Sequence, residues 1–471
     1  MSDENIILYG AGKIGREALS VLRYLKKNIM YFIDADSKKN GTEIDGVKIY
    51  DLNYIDKSFD GYVYITTVKG VNSIIIKLID SGIDKNKIII YDNERIKLLS
   101  KYLSRNLILI KSNKQPSISF GELDGLELGG IEEWTKQIVN CLCDKNYNVN
   151  IIYSGNIQYA NKKYIYVKLS EDIDEKLNNI KGIVNCILEN NTKILITSHP
   201  DELLKAACVL KYLKHDIKII CVIHEGIESN YKDYQKYDKY IDIYMGVSID
   251  ICEGLENSGI NKSKIFHMTC PVNFIDKYEK KRNYTLNKEN PIQIGYAGRI
   301  EIEQKRMDLL IKLILELERL NINYNFNIAG DGSYKNQMQL MINKNGLNEK
   351  VRFLGRIDRK DIYKFWQSND ICVNIADYEG RSISIMEAMV NGAVPIVTRT
   401  SGIKEDIHNG VEGFYVNIGD YESMAKKIQQ LEDNRDYIKE LGSNAKEEMQ
   451  LKCDINNHIT FWIDILDKYI K

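Results

Sequence analysis

Short apolar runs rich in β-branched and aromatic residues recur along the chain. Each is followed by a stretch whose apolar positions return every three or four residues. The first pattern suits buried strands and the second suits helices with one covered face. Their alternation predicts layered α/β structure with parallel sheets. Three blocks separate on this basis. Residues 1–97 run from NIILYG to beyond KIIIYD, and the polar stretch at 98–105 reads as a linker. NLILIKS, at Asn106–Ser112, reads as the first strand of a second block, 106–285. That block continues through NVNIIYS, KYIYVKL, KILITSH, IKIICVIHE and IDIYMGVS, with NKQPSISFGELDG as a flexible overhang. The third block, 286–452, opens at IQIGYAGR and alternates through FNIAG, VRFLG, DICVNI and AVPIVT. In the last segment, 453–471, Ile459, Phe461, Trp462, Ile465, Leu466 and Ile470 make one apolar stripe that must cover a core.

Composition narrows the class. A chain of 471 residues exceeds what one core supports. Formal net charge is −1, which supplies no field for gathering nucleic acid. Nine scattered cysteines without a CxxC pair fit free thiols in a reducing compartment. MSDENIILYGAG lacks the form of a signal peptide, and no uncharged apolar run approaches the roughly 20 residues that cross a bilayer. A cytoplasmic protein is expected. Lys205, Lys211, Lys214 and Lys218 could touch the inner face of a membrane, although a solvated face is the commoner role for such lysines.

Candidate chemistry concentrates at the strand ends of the third block, because parallel α/β sheets gather ligands at their carboxyl edge. Arg299 ends one strand, and Lys305 and Arg306 precede the next helix. Cations beside a helix start can seat a phosphate, or simply form a solvated basic turn. YEGRSISIMEAMVNG places Glu379 in a loop, the amides of Ser382 and Ile383 at a helix start, and Glu387 one turn further in. Eight residues span roughly 12 Å when helical. That length suits a ligand with hydroxyls at both ends and a diphosphate between them, carboxylates accepting from the hydroxyls. A dipole-favoured glutamate and an exposed helix glutamate are the plainer alternatives. In the second block, Gly129 and Gly130 permit close backbone approach. His224 ends an apolar strand, and His199 ends its neighbour. Neither has metal-ligand spacing, and no DxD-like pair sits at a suitable strand end.

The stretch EGRSISIMEAMVNGAVPIVT resembles the signature of glycosyltransferase family 4, the group 1 glycosyltransferases of the GT-B fold. GYAGRIEIEQKRMDLLI, FNIAGDGSY and the segment leading into the signature resemble further motifs of that family, in order, from about Asn106 onward. The resemblance implies two facing Rossmann-like domains with the site in the cleft between them, and a last helix that crosses back to the acceptor-side domain. It implies a retaining, metal-independent transferase moving a sugar from a UDP- or GDP-sugar to a glycan or lipid-linked hydroxyl acceptor in surface-glycan assembly. On this pattern Arg299 and Lys305 bind the diphosphate, Glu387 the ribose, Glu379 and His224 the donor sugar, with Gly130, Ser382 and Ile383 lining the donor site. The departure is Arg381-Ser382, where many members carry an aromatic residue or glycine. A nucleotide-sugar epimerase and a non-catalytic sugar-nucleotide sensor are the competing readings.

The first block reads strand, glycine turn, helix, strand. Gly10, Gly12 and Gly15 have dinucleotide-binding spacing and Asp34 ends the second strand. It resembles small nucleotide-binding domains that head sugar-modifying enzymes of polysaccharide pathways. Bound NAD, a bound nucleotide sugar, or a docking module without ligand are the alternatives it leaves.

Overall fold

The computed structural model describes residues 4–56, 58–104, 114–122, 130–154, 165–169, 176–272 and 282–470. They form three sheets, parallel except for one short hairpin. The first has the order Glu43–Ile44, Val47–Tyr50, Asn28–Ile33, Asn5–Tyr9, Tyr62–Ile65, Ile88–Ile90. The second runs Ile265–His267, Ile243–Gly246, Lys218–Ile223, Thr192–Thr197, Ser117–Glu122, Val149–Ser154, Ile165–Leu169. The third runs Val351–Gly355, Tyr324–Ala329, Ile292–Ala297, Ile371–Asn374, Val394–Thr398, Phe414–Val416. In each sheet the order reverses beside the domain's first strand, and that switch point opens a crevice at the carboxyl edge. In the third sheet the crevice lies between the strands ending at Ala297 and Asn374. The loops carrying Arg299 and Glu379 leave from those two strands.

Two segments differ from the sequence pattern. The strand expected at 106–112 lies outside the described residues. Ser117–Glu122, read as part of an overhang, is instead an interior strand of the second sheet, flanked by Thr192–Thr197 and Val149–Ser154. Its inward serines disguised it. Ser117 Oγ donates to the Asn190 carbonyl at 2.7 Å, and the Ser119 and Thr192 hydroxyls meet at 2.7 Å. Buried polar side chains satisfied this way leave no apolar run to read. Residues 98–104, read as linker, are the second half of the helix Tyr91–Ser104, with Leu98, Leu99 and Leu103 buried.

That helix and Lys13–Tyr24 carry the first domain onto the second, and one continuous apolar core runs through both. A buried pair, Glu17 with Arg95, sits at this junction beside Tyr237. The lysines considered for a membrane are placed otherwise. Lys205 is buried beside Glu202, Lys211 binds Asp242 and the Tyr240 carbonyl, and Lys218 lies 3.6 Å from Asp242. Only Lys214, at a left-handed turn, remains exposed, so the helix Glu202–Tyr212 presents no basic face. No helix among the described residues is long and apolar enough to cross a membrane.

The last helix, Ile455–Ile470, lays Ile459, Trp462, Ile465 and Leu466 against the second domain, where Trp462 meets Trp134 at 5.9 Å and Phe120 at 6.5 Å. Trp462 Nε1 donates to His458 Nε2 at 3.1 Å, which requires that nitrogen to be unprotonated. Burial pulls the His458 pKa down to about 4, against an opposing contact with the Thr269 carbonyl. The unfolded chain therefore binds the proton first as pH falls below the ordinary histidine value. His458 costs stability progressively on acidification from about 6.5 toward 4 and nothing above that range. Chemical denaturation at pH 7 and pH 5 should show wild type losing about 2 kcal/mol more between the two than His458→Phe does. Equal losses would show the ring titrating normally.

Candidate active site

The turn after Ile292–Ala297 is pinned by Tyr296, whose buried hydroxyl donates to the Arg299 carbonyl at 2.7 Å. Burial first, then the charges of Glu379 and Glu301, push this phenol's pKa well up, so it remains a donor. The turn is stitched to the loop that follows Ile371–Asn374. Gln304 Nε2 donates to the Tyr378 carbonyl at 2.9 Å, and the Asp377 amide donates to the Gln304 carbonyl at 3.0 Å. Arg306 Nη1 reaches both Asp377 carboxylate oxygens at 2.9 Å. Lys305 Nζ is paired with Glu379, and both side chains are nearly buried.

Arg299 stands apart from this pair. Its guanidinium binds Glu301 and Gln304 and is 58% exposed. The spacing argument set a diphosphate between Glu379 and Glu387; the structure puts the Glu379 carboxylate directly on Lys305. Gln304 and Asp377 carried no sequence signal, because their role depends on partners more than 70 residues away.

The helix Ile383–Val390 begins at Ser382, which is extended at φ −76°, ψ 109° and makes no side-chain cap. Its first-turn amides therefore receive no bond from the Ser382 hydroxyl. Ser384 Oγ donates to the Ala297 carbonyl at 2.8 Å, which ties this helix start to the Arg299 strand. Glu387 is buried on the same helix, and its charge, after burial itself, raises the pKa of Cys372 on the neighbouring strand. Arg381 turns away from the gap. It forms a buried pair with Asp406, Nε to Oδ2 at 3.0 Å.

The second domain closes over these groups. A Cβ on Gly380 would lie 1.6 Å from the His224 carbonyl, so only glycine fits where the two domains touch. Gly130, at the start of the helix Gly130–Asp144, faces Ile383, with Cδ1 at 3.5 Å from the position its Cβ would take. Two helix starts thus meet across the gap. His224 Nε2 is buried with no hydrogen-bond partner among the described residues, and Trp134 packs edge-on at 5.1 Å. Burial, then the neighbouring His199, lowers the His224 pKa to about 3. Its ring is neutral at ordinary pH, with one nitrogen open. His199 itself is exposed, and Gly129 lies outside the described residues.

In the first domain, a Cβ on Gly15 would lie 2.0 Å from the Gly10 carbonyl, the close helix–turn approach that glycine allows. Gly12 precedes the helix without a side-chain cap. Asp34 is occupied: it accepts from the Ala11 amide at 2.8 Å, the Asp36 amide at 2.9 Å and Lys39 Nζ at 2.9 Å. Burial raises its pKa, but these bonds outweigh it and hold the carboxyl below its usual range.

Residues 277–448 match the family model of glycosyl transferases group 1, and residues 2–89 match one described as C2185-like, N-terminal. The third domain is a group 1 glycosyl transferase domain. The poly(ribitol-phosphate) alpha-N-acetylglucosaminyltransferase of Staphylococcus aureus is 25% identical over 255 residues, 52% of this chain and 50% of that protein. This chain thus spans about half of that relative's length. A Campylobacter jejuni alpha-1,4-N-acetyl-D-galactosaminyltransferase is 24% identical over 345 residues, 68% of this chain and 90% of that protein. The crystal structure of Anabaena Alr3699/HepE in complex with UDP and glucose covers 74% of this chain and 99% of its own, with a TM-score of 0.63 at 16% identity. The fold is GT-B, with an extra domain in front. The gap between Gly130–His224 and Lys305–Ile383 lies where the second domain meets this third domain.

Proposed function

We propose that this protein is a retaining glycosyltransferase that moves a sugar from a UDP- or GDP-sugar to a glycan or lipid-linked hydroxyl, in polysaccharide or glycoconjugate assembly. One observation carries the reading. Lys305 with Glu379, and the uncapped helix start at Ser382 and Ile383, all border the gap that Gly130 and His224 close from the other domain. An ammonium and free amides can take up the charge of a leaving diphosphate. The bond from the anomeric carbon to the diphosphate oxygen breaks, the acceptor oxygen bonds to that carbon, and the acceptor proton passes to the departing diphosphate. Glu379 accepts from donor-sugar hydroxyls once the diphosphate draws Lys305 away. Neutral His224 offers its open nitrogen to the same sugar, and Glu387 accepts from the ribose. Arg299 contributes long-range charge from a more exposed place. With the diphosphate charge met by these groups, turnover in EDTA should equal turnover without it.

For the first domain the docking reading is favoured, since Asp34 already holds Lys39 and the domain shares its core with the second.

Release of UDP or GDP on adding acceptor tests the reading, with the anomeric configuration of the product read by NMR. Sugar inversion without nucleotide release would establish an epimerase, and binding without turnover a sensor. Calorimetry should show Glu387→Ala binding the nucleoside diphosphate about 10- to 100-fold more weakly, the worth of a charge-assisted hydroxyl contact. Unchanged affinity would remove Glu387 from the ribose.

A further inference from the structure

A cavity of 270 Å³ opens beside the Glu379 loop and shares only Glu379 with the proposed donor contacts. Gly226 and Asp250 line it from the second domain, and Arg399, Thr400, Ser401 and Lys404 from the third. Gly226 lies against Ser401, where a Cβ would come within 2.7 Å of Oγ, so the cavity exists only where the two domains meet. Asp377 and Glu379 also border it, but their charges are met by Arg306 and Lys305. Arg399 and Lys404 make no ion pair or side-chain hydrogen bond with any described residue, nor do the hydroxyls of Thr400 and Ser401. Two exposed cations therefore border the cavity with one exposed carboxylate, Asp250, and none of the three is in an ion pair with a described residue.

A guanidinium forks onto phosphate oxygens, an ammonium adds point charge, and hydroxyls donate to the same oxygens. Asp250, on the other domain's wall, is an acceptor for sugar hydroxyls. Small-ligand cavities start at roughly 300 Å³, so this one suits a single phosphorylated sugar rather than a nucleotide. We propose that this cavity is the acceptor subsite and takes a phosphate-bearing sugar, its phosphate on Arg399 and Lys404 and its hydroxyls toward Asp250. The proposal rests on the transferase reading, because it is Glu379, read as the donor-sugar contact, that makes the neighbouring space the acceptor's.

The whole 471-residue chain, saturated with whichever of UDP and GDP binds, is titrated with glucose 1-phosphate. A second arm uses a polyprenyl phosphate in detergent micelles, and free glucose is the control. A phosphate-bearing probe should bind where glucose does not. Arg399→Ala/Lys404→Ala should weaken that binding about tenfold or more while leaving nucleotide affinity within about twofold, since the lost contacts are charge-assisted and lie outside the donor site. Binding of glucose 1-phosphate points to a soluble phosphorylated acceptor, and binding of the polyprenyl phosphate alone to a lipid-linked one. The proposal is overturned if neither probe binds, or if binding ignores both substitutions. Should neither nucleotide bind, the donor reading fails, and the same titrations on nucleotide-free protein still decide the cavity.

Discussion

Lys305→Ala is expected to lower kcat/KM by about 10²–10³, the scale seen when one preorganised charge-stabilising group is removed. Lys305 is the ammonium at the cleft, and its partner among the described residues is Glu379, a carboxylate as buried as itself. On the proposed function, removing it takes away the cation that meets the diphosphate and leaves the Glu379 charge uncompensated beside it. Arg299 cannot step in, because Glu301 and Gln304 hold its guanidinium at the exposed side of the turn. Steady-state nucleotide release measures the loss. Adding Glu379→Gln to the variant separates the two effects: nucleotide affinity should recover, since the repulsion is gone, while turnover should stay low. A Lys305→Ala enzyme with wild-type kcat/KM would place the diphosphate elsewhere.

Arg381→Ala should cost about 3–5 kcal/mol of stability, the usual penalty for stranding one member of a buried ion pair. The Arg381 side chain is 1% exposed and that of Asp406 3%. Burial raises the Asp406 pKa even with the guanidinium beside it, so without Arg381 the carboxyl must protonate or unfold its surroundings. Urea unfolding at pH 7 checks the magnitude. Replacing both members together, by Arg381→Met and Asp406→Leu, should be far milder than either loss alone, since no buried charge remains. Single variants as stable as wild type would show the pair to be solvated. Activity should suffer as well. Arg381 follows Glu379 and Gly380, and it lies 3.7 Å from Glu405, which pairs with His267 of the second domain at 3.0 Å. The pair thus anchors the Glu379 loop to the interdomain contact. This also explains the residue's departure from the usual motif: its side chain belongs to the scaffold beneath the loop.

Alternating strand and helix patterns, the glycine turns and the spacing of Glu379 and Glu387 were all legible in the sequence alone. These are local signals, set by backbone preference and by the 2.0 and 3.6 residue periods of one element. They were enough for an α/β chain and for setting Arg299 and Glu379 in loops that leave strand ends. They failed where local chemistry misleads: Ser117 and Ser119 look like loop residues until Asn190 and Thr192 arrive to satisfy them in an interior strand.

Tertiary structure alone decided which charges meet. Lys305 and Glu379 lie 74 positions apart and Arg381 and Asp406 25 apart. Parallel strands on either side of a switch point bring the first pair together, and packing of the Glu379–Arg381 loop against the short helix Ile403–Asp406 brings the second. Whether a histidine is neutral, or a cation left unpaired beside a cavity, follows from desolvation and from neighbours supplied by another domain. No window of sequence contains that information, because the energy of a charge depends on what surrounds it in space.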